Sequence, residues 1–255
     1  MLNAIFAQPF EEQLAFFRAK LNLPTERWDD IMHAAHDRAF VVAGAQKADL
    51  LADLRGAVDK VIAQGVGIEE FRKDFFRIAR ERGWTNYTGA TTEAGRAWRT
   101  RVIYQTNLYT SHAAGRWQQL HDPDLLKVRP FWRYIHNDSV TSPRPLHKAW
   151  GDTGLTLRHD HPFWQTHFPP NGWGCRCRVK AVRGPQEGDA TAPPEGWDEI
   201  DPKTGAPVGI DKGFAYAPGA SNADELRRFA EEKAAGLPPE IGRAFAADME
   251  KGRPA

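Results

Sequence analysis

Three apolar stripes in the first 83 residues recur every three or four positions, which is the spacing of one-sided helices. The first follows Pro24-Thr25, the second ends at Gly65 and the third ends at Gly83. Their members are Trp28, Ile31, Met32, Ala35, Ala39 and Val42; Leu50, Leu51, Leu54, Val58, Val61 and Ile62; and Ile68, Phe71, Phe75 and Ile78. We predict that residues 1–83 are all-helical and that these one-sided helices pack on another surface.

A longer helix and several strands are predicted for the middle of the chain. Helical spacing runs from Trp98 to Leu120 and ends at the breaker segment 121–124. Residues 131–136 are rich in strand-forming side chains, and residues 149–157 predict a short hairpin around Gly151 to Gly154. A turn signal, Pro-Pro-Asn-Gly at 169–172, precedes the last predicted strand.

That last strand is predicted from strict alternation of apolar and basic residues. Its apolar face carries Cys175, Cys177, Val179 and Ala181. Its basic face carries Arg176, Arg178 and Lys180. We predict a small antiparallel sheet packed on the long helix, which places the chain in the α+β class.

A proline-rich segment, residues 184–219, is predicted to be a loop-like connector that wraps the preceding module or reaches a partner. Two short helices are predicted after it, the first with a capping pair. Their residues are Ser221, Asp224, Leu226 and Phe229, then Ile241, Ala244, Phe245 and Met249. The predicted organisation is a helical region (1–83), a module (84–183) and a proline-rich acidic tail (184–255).

Charge is uneven along the 255 residues although the net charge is only +1. Residues 84–183 carry 14 basic and 6 acidic side chains, whereas residues 184–255 carry 8 and 14. A basic module suits an acidic partner or a nucleic-acid backbone, and the candidate DNA contacts are Arg176, Arg178 and Lys180. The alternative is that the acidic tail folds onto the module.

Several classes of protein find no support in the sequence. No apolar run reaches the ~20 residues of a membrane span, and the first residues lack the pattern of a signal peptide. Walker, G-x-G-x-x-G and G-x-S-x-G motifs are absent from the sequence, so nucleotide-driven work and hydrolase chemistry of those kinds are not indicated.

Thiol and imidazole groups are concentrated in the basic module, residues 84–183, which raises the question of a metal site. Zinc takes four nitrogen or sulfur ligands in a tetrahedron. The candidates are Cys175 and Cys177 with two of His147, His159, His161 and His167. The Cys-x-Cys spacing is not that of a zinc knuckle, so we expect no cofactor, with buried thiols, and keep structural zinc and a zinc-stabilised DNA-binding module as alternatives.

A nuclease is the other alternative. Some nucleases use two histidines and a cation on a helix-and-sheet scaffold, because histidine serves as acid and base near neutral pH. His136, Arg144 and His147 are the candidates for these roles. The sequence does not force them together, so we expect the protein not to be an enzyme.

Two ordered groups of residues, within the span 92–182, carry a more specific signal, and a weaker one follows at 211–219. The two groups are Asp138, Arg144, Pro145 and His147, then Trp164, Pro169, Pro170, Asn171, Gly172, Cys175, Arg176 and Cys177. This combination resembles the phage Mu F-like head morphogenesis family, the minor capsid proteins of tailed phages.

The resemblance implies a role in viral capsid assembly and an association with the portal protein. It also implies other head proteins as partners, and a place in the host cytoplasm during assembly and then inside the virion head near the portal. Members are thought to act in head assembly or in the fate of packaged or ejected DNA, which would be bound without sequence preference. We expect no membrane partner, and we expect the helical region of residues 1–83 to dock on the portal or its neighbours through its apolar stripes.

Overall fold

The computed structural model describes residues 10–221 and 235–243. The chain divides into two compact units, which we call the N-terminal unit (residues 1–112 with 221–255) and the motif unit (residues 113–220). The three segments predicted from the sequence are a different partition and stay a prediction. Helices and a small antiparallel sheet occur together, which confirms the α+β class. None of the helices in the described ranges has the length and apolarity of a membrane span.

The N-terminal unit is mainly helical. Its described elements are α1 (Glu11–Arg18), β1 (Leu21–Asn22), α2 (Ala35–Arg38), β2 (Ala39–Phe40), α3 (Ala48–Gln64), α4 (Ile68–Glu81) and the first part of α5 (Glu93–Leu120). The second and third stripes form α3 and α4 as predicted. Gly65 ends α3 with a φ of 66°, a left-handed conformation that glycine adopts without a Cβ clash.

The first stripe does not form the helix predicted from Trp28 to Val42, and the all-helical prediction is wrong here. Only α2 is helical, and β2 pairs in parallel with β1. His33 has a φ of 53°, which interrupts a right-handed helix. Ile31 and Val42 are buried nonetheless, because turns bring them into the interior.

Apolar residues of α3 and α4 pack on each other rather than on an outside surface. Leu51, Leu54, Phe71 and Phe75 are at most 1 % exposed within one cluster. The one-sided helices therefore find their partners inside the N-terminal unit, which removes the argument that these stripes must dock on a portal.

The motif unit combines the end of α5 with short helices and strands. Its described elements are α6 (Pro123–Val128), β3 (Phe131–Ile135), α7 (Pro145–Asp152), β4 (Thr156–Arg158), α8 (Phe163–His167), β5 (Arg178–Val182), β6 (Ile200–Asp201) and β7 (Ala206–Pro207). The three-stranded sheet has the order β4-β3-β5 and is antiparallel throughout. Trp117 of α5 contacts Trp132 of β3 edge to face, with ring centroids 5.4 Å apart. The predicted sheet on a long helix is confirmed.

One local prediction in this unit is wrong, and one helix was not predicted. Residues 149–157 do not form a hairpin, because Pro145 starts α7 and the helix runs to Asp152 before the chain turns into β4. The breaker segment ends α5 but also starts α6, since the Asp122 carboxylate accepts hydrogen bonds from the backbone N–H groups of Asp124 and Leu125.

The predicted cysteine strand is shorter than expected, because β5 begins at Arg178 and both cysteines precede it. Exposure still alternates along residues 175–181 as predicted. The connector folds onto the motif unit, where Ile210, Phe214 and Tyr216 are buried. Of the predicted tail helices, Asp224, Leu226, Phe229, Ala244, Phe245 and Met249 lie outside the described residues.

Candidate functional site

One imidazole and both thiols of the chain converge in the motif unit. The ligand atoms of His147, Cys175 and Cys177 all lie within 4.8 Å of one another. His147 Nδ1 is 3.7 Å from Cys175 Sγ and 3.9 Å from Cys177 Sγ. His147 and Cys175 are buried and Cys177 is half-buried. We call these three residues the thiol–imidazole cluster.

The orientation of the His147 ring is fixed from two sides. Its Nε2 lies 2.8 Å from the Gly209 carbonyl oxygen, which can only accept a hydrogen bond, so Nε2 carries the proton. The ring stacks on Trp150, one turn further along α7, with planes 18° apart. In the neutral imidazole the lone pair of Nδ1 therefore faces the two sulfurs.

The loop before β5 places the cysteines. The Pro169-Pro170 peptide bond is cis, and the Asn171 side chain after it is completely buried. The Cys175 N–H then donates to the Gly172 carbonyl oxygen at 3.0 Å and closes a turn. The backbone N–H groups of Asn171 and Cys177 donate to the Cys175 sulfur, so the loop surrounds this thiol with donors.

The two thiols do not have the same acidity. The hydrogen bond between the two sulfurs lowers the pKa of Cys177, against an opposing effect of burial. The same sulfur–sulfur hydrogen bond raises the pKa of Cys175, and burial adds to this. Cys177 is thus the sulfur that carries negative charge most readily.

A second polar arrangement joins the motif loop to the connector. Arg144 Nη2 donates to Asp211 Oδ2 at 2.6 Å and to the Trp173 carbonyl oxygen at 3.0 Å. Asp211 Oδ2 also accepts from the Trp173 N–H at 2.9 Å. A Cβ on Gly172 would clash with Asp211 Oδ2, so this position has room only for glycine unless the carboxylate moves. Sequence reasoning flagged Arg144 and Gly172 but gave Asp211 no role, although it starts the weaker 211–219 segment.

The remaining zinc candidates lie elsewhere in the motif unit. His167 Nε2 is 3.2 Å from the Val208 carbonyl oxygen, and its ring stacks on Phe163. His161 Nδ1 accepts a hydrogen bond from the Phe163 N–H, and the His159 ring lies beside Trp132. Of the four candidate histidines, the described geometry brings only His147 to the cysteines.

The geometry does not support the nuclease hypothesis. The His136 and His147 side chains are buried, whereas a catalytic pair must reach a phosphodiester. His136 Nδ1 lies 3.0 Å from Asp138 Oδ1, and His147 faces the thiols. Arg144 is held by Asp211, so the three predicted groups have structural partners.

The other motif residues shape the interior of the unit. Trp164 is completely buried, and its indole N–H donates to the Arg158 carbonyl oxygen at 3.1 Å. Sequence reasoning missed Tyr134 and Trp150, which surround His147 and would be recognised in the sequence only as ordinary core aromatics.

The basic face of the last strand is exposed, as predicted. Arg178 and Lys180 are exposed on β5, an outer strand of the sheet, and Arg176 is exposed just before it. Across from Lys180, Arg133 forms an ion pair with Asp189 of the connector at 2.7 Å. The acidic connector thus neutralises part of the basic module, as the alternative interpretation of the charge pattern expects.

Residues 52–180, just over half of the chain, match the family described as Phage Mu protein F like protein. The chain belongs to this family. The match runs from α3 to β5 and includes every member of the thiol–imidazole cluster.

Two proteins of known name are similar to this chain. The Mu-like prophage FluMu F protein of Haemophilus influenzae is 40% identical over 164 residues, which cover 62% of this chain and 38% of that protein. The Putative capsid assembly protein F of Escherichia phage Mu is 35% identical over 184 residues, which cover 68% and 40%. The chain therefore spans about two fifths of the length of these relatives. No solved structure matches it significantly.

Proposed function

We propose that this chain is a structural protein of the phage head that takes part in capsid assembly. The observation that carries the proposal is the family match over residues 52–180, together with a relative named for capsid assembly. Polar groups of the motif unit hold its loops together, as Arg144 does with Asp211, and this suits a protein with a structural role in assembly. We propose the portal and other head proteins as its partners, and the head interior near the portal as its location.

Particle composition tests this proposal. Procapsids and mature heads of the phage that encodes the chain should contain it, and protease should not degrade it until the heads are opened. A phage lacking the gene should give fewer complete heads, and complementation should restore them. Absence of the chain from both kinds of particle, with normal heads in the deletion phage, would overturn the proposal.

Association with the portal needs its own measurement. Full-length chain co-expressed with the portal protein of the same phage should co-purify with it through a tag on the portal. The control is the same portal with an unrelated soluble protein of similar size and charge. If the chain is found in heads but does not bind the portal, capsid assembly is supported and the portal contact is not.

A contact with packaged DNA is a second candidate function, because three basic side chains are exposed on β5 and immediately before it. Phosphate contacts release condensed counterions, so such binding is blind to sequence and weakens steeply with salt. Replacement of Arg176, Arg178 and Lys180 by alanine should reduce the slope of log affinity against log salt by up to about three.

The matched control removes three basic residues from α4, namely Lys73, Arg77 and Arg80, which are exposed on the N-terminal unit. Both triple variants change the net charge equally, so only a specific contact distinguishes them. Equal slopes for the two variants, or no binding by the full chain at low salt, would exclude the strand as a DNA contact.

A further inference from the structure

We propose that Cys175, Cys177 and His147 Nδ1 bind one zinc ion, with a fourth coordination position left for water or an exogenous ligand. This inference does not depend on the role in capsid assembly. It selects one histidine from the four that the sequence offered, and it changes the expected ligand set from two histidines to one.

The spacing of the three ligand atoms carries the proposal. Zinc bonds to sulfur at about 2.3 Å and to imidazole nitrogen at about 2.0–2.1 Å, so a tetrahedral site places sulfur and nitrogen about 3.6 Å apart. The two sulfur–nitrogen distances here are 3.7 and 3.9 Å. Very little movement would be needed to bring all three atoms onto one metal ion.

The His147 tautomer is the one that a metal requires. Because Nε2 donates its proton to the Gly209 carbonyl oxygen, Nδ1 presents a lone pair toward both sulfurs at almost equal distances. A single thiol–imidazole hydrogen bond would favour one sulfur over the other. A zinc-bound histidine commonly donates its other ring N–H to a backbone carbonyl, as His147 does here.

The surroundings of the sulfurs suit thiolates. Backbone N–H groups of Asn171 and Cys177 donate to Cys175. Two thiolates, one neutral imidazole and Zn²⁺ sum to zero charge, which lowers the cost of burying the ion. Binding converts two thiols into thiolates and releases two protons to solvent.

Zinc is favoured among metals by this donor set. Thiolate and imidazole together match a borderline-soft ion, whereas magnesium and calcium take oxygen ligands. The Cys-x-Cys segment, α7 and the Gly209 region of the connector would then be tied together at one point. A site with three protein ligands also leaves a position that a ligand from a partner could take.

Metal analysis of the full chain tests the proposal. The protein is purified without a histidine tag, under reducing conditions, and its metals are measured by mass spectrometry. We expect about one zinc per chain. Less than roughly half an equivalent, even after refolding with added zinc, would overturn the proposal. So would stoichiometric iron or copper in place of zinc.

Variants and spectroscopy locate the ion. Cys175→Ser, Cys177→Ser and His147→Gln should each lower the zinc content at least tenfold after a mild chelator wash, since each removes one ligand. His159→Gln is the matched control and should keep its zinc. Zinc that persists in all three ligand variants would place the ion elsewhere and overturn the assignment.

X-ray absorption of the wild-type chain gives an answer that does not depend on variants folding. Two sulfur and two nitrogen or oxygen neighbours are expected at the zinc edge. A spectrum without sulfur neighbours would overturn the proposal. Either result leaves the capsid-assembly proposal untouched, because that proposal is tested on particles.

Discussion

The cores of the two compact units are built from different kinds of side chain. The core of the N-terminal unit consists mainly of aliphatic and phenylalanine side chains from whole helices, above all α3 and α4. The core of the motif unit contains Trp117, Trp132, Trp150 and Trp164, with buried histidines among them, on short elements joined by loops. In the N-terminal unit the helical spacing of apolar residues determines which side chains enter the core. In the motif unit individual hydrogen bonds between loops determine it. We therefore expect the N-terminal unit to be the more sensitive to lost volume and the motif unit to lost hydrogen bonds.

The largest expected effect is loss of volume in the N-terminal unit. Phe75 is completely buried between α4 and its neighbours, while Phe76, the next residue, is 36 % exposed. Phe75→Ala should lower the free energy of unfolding by about 3–5 kcal/mol because it leaves a cavity. Phe76→Ala is the control and should cost about 1 kcal/mol or less. Denaturant titration of the full chain measures both, and equal losses would contradict the described packing.

Acid should destabilise the motif unit through His167. Burial lowers the pKa of His167 to about 4, against a weaker opposing effect of its hydrogen bond to Val208. The folded state keeps this ring neutral while the unfolded chain takes up a proton below about pH 6.5. The contribution of the neutral ring to the free energy of unfolding is therefore fully present above about pH 6.5. It falls by about 3 kcal/mol in all as the pH is lowered toward 4.

Comparison of wild-type chain with His167→Gln isolates this contribution. Unfolding free energies measured between pH 7 and pH 4 should fall less steeply in the variant, because the glutamine does not titrate. Parallel curves for the two proteins would show that His167 titrates normally.

Loss of one carboxylate should weaken the loop of the motif unit. Asp211→Asn replaces an oxygen that accepts from both Arg144 and Trp173, and should cost about 1–3 kcal/mol. The control is Asp160→Asn, which removes the exposed pair with Arg158 and should cost less than about 1 kcal/mol. Thermal unfolding measures the loss of stability in each variant. A smaller loss for Asp211→Asn than for Asp160→Asn would contradict the expected sensitivity of the motif unit to lost hydrogen bonds.

The smallest effects concern two glycines of the same helix. Gly56 lies exposed inside α3, and a Cβ there meets nothing within 4 Å. Gly56→Ala should stabilise the N-terminal unit by roughly 0.5–1 kcal/mol, since alanine favours helix. Gly65→Ala should destabilise it by about 1 kcal/mol, because Gly65 has a φ of 66°. The same sign for both substitutions would contradict the described end of α3.

The periodicity of apolar residues was sufficient to predict a helix or strand wherever the pattern arises within that one element. The stripes of α3, α4 and α5, the strand at 131–135 and the alternating exposure of residues 175–181 were predicted from the sequence, because helical and strand spacing are local properties. Periodicity misled at residues 28–42, where buried residues sit in turns and a strand, and at 149–157, where a proline starts a helix.

Tertiary structure decided which polar groups meet. The sequence offered four histidines for two cysteines, and only folding placed His147, 28 residues before Cys175, at a sulfur and aimed its other nitrogen at Gly209. The Arg144–Asp211 contact joins residues 67 positions apart, which no local pattern encodes. By itself the sequence determined the α+β class, the family and the long helices, since these rest on spacing and on an ordered motif. The site depends on distances between loops, and those exist only once the chain has folded.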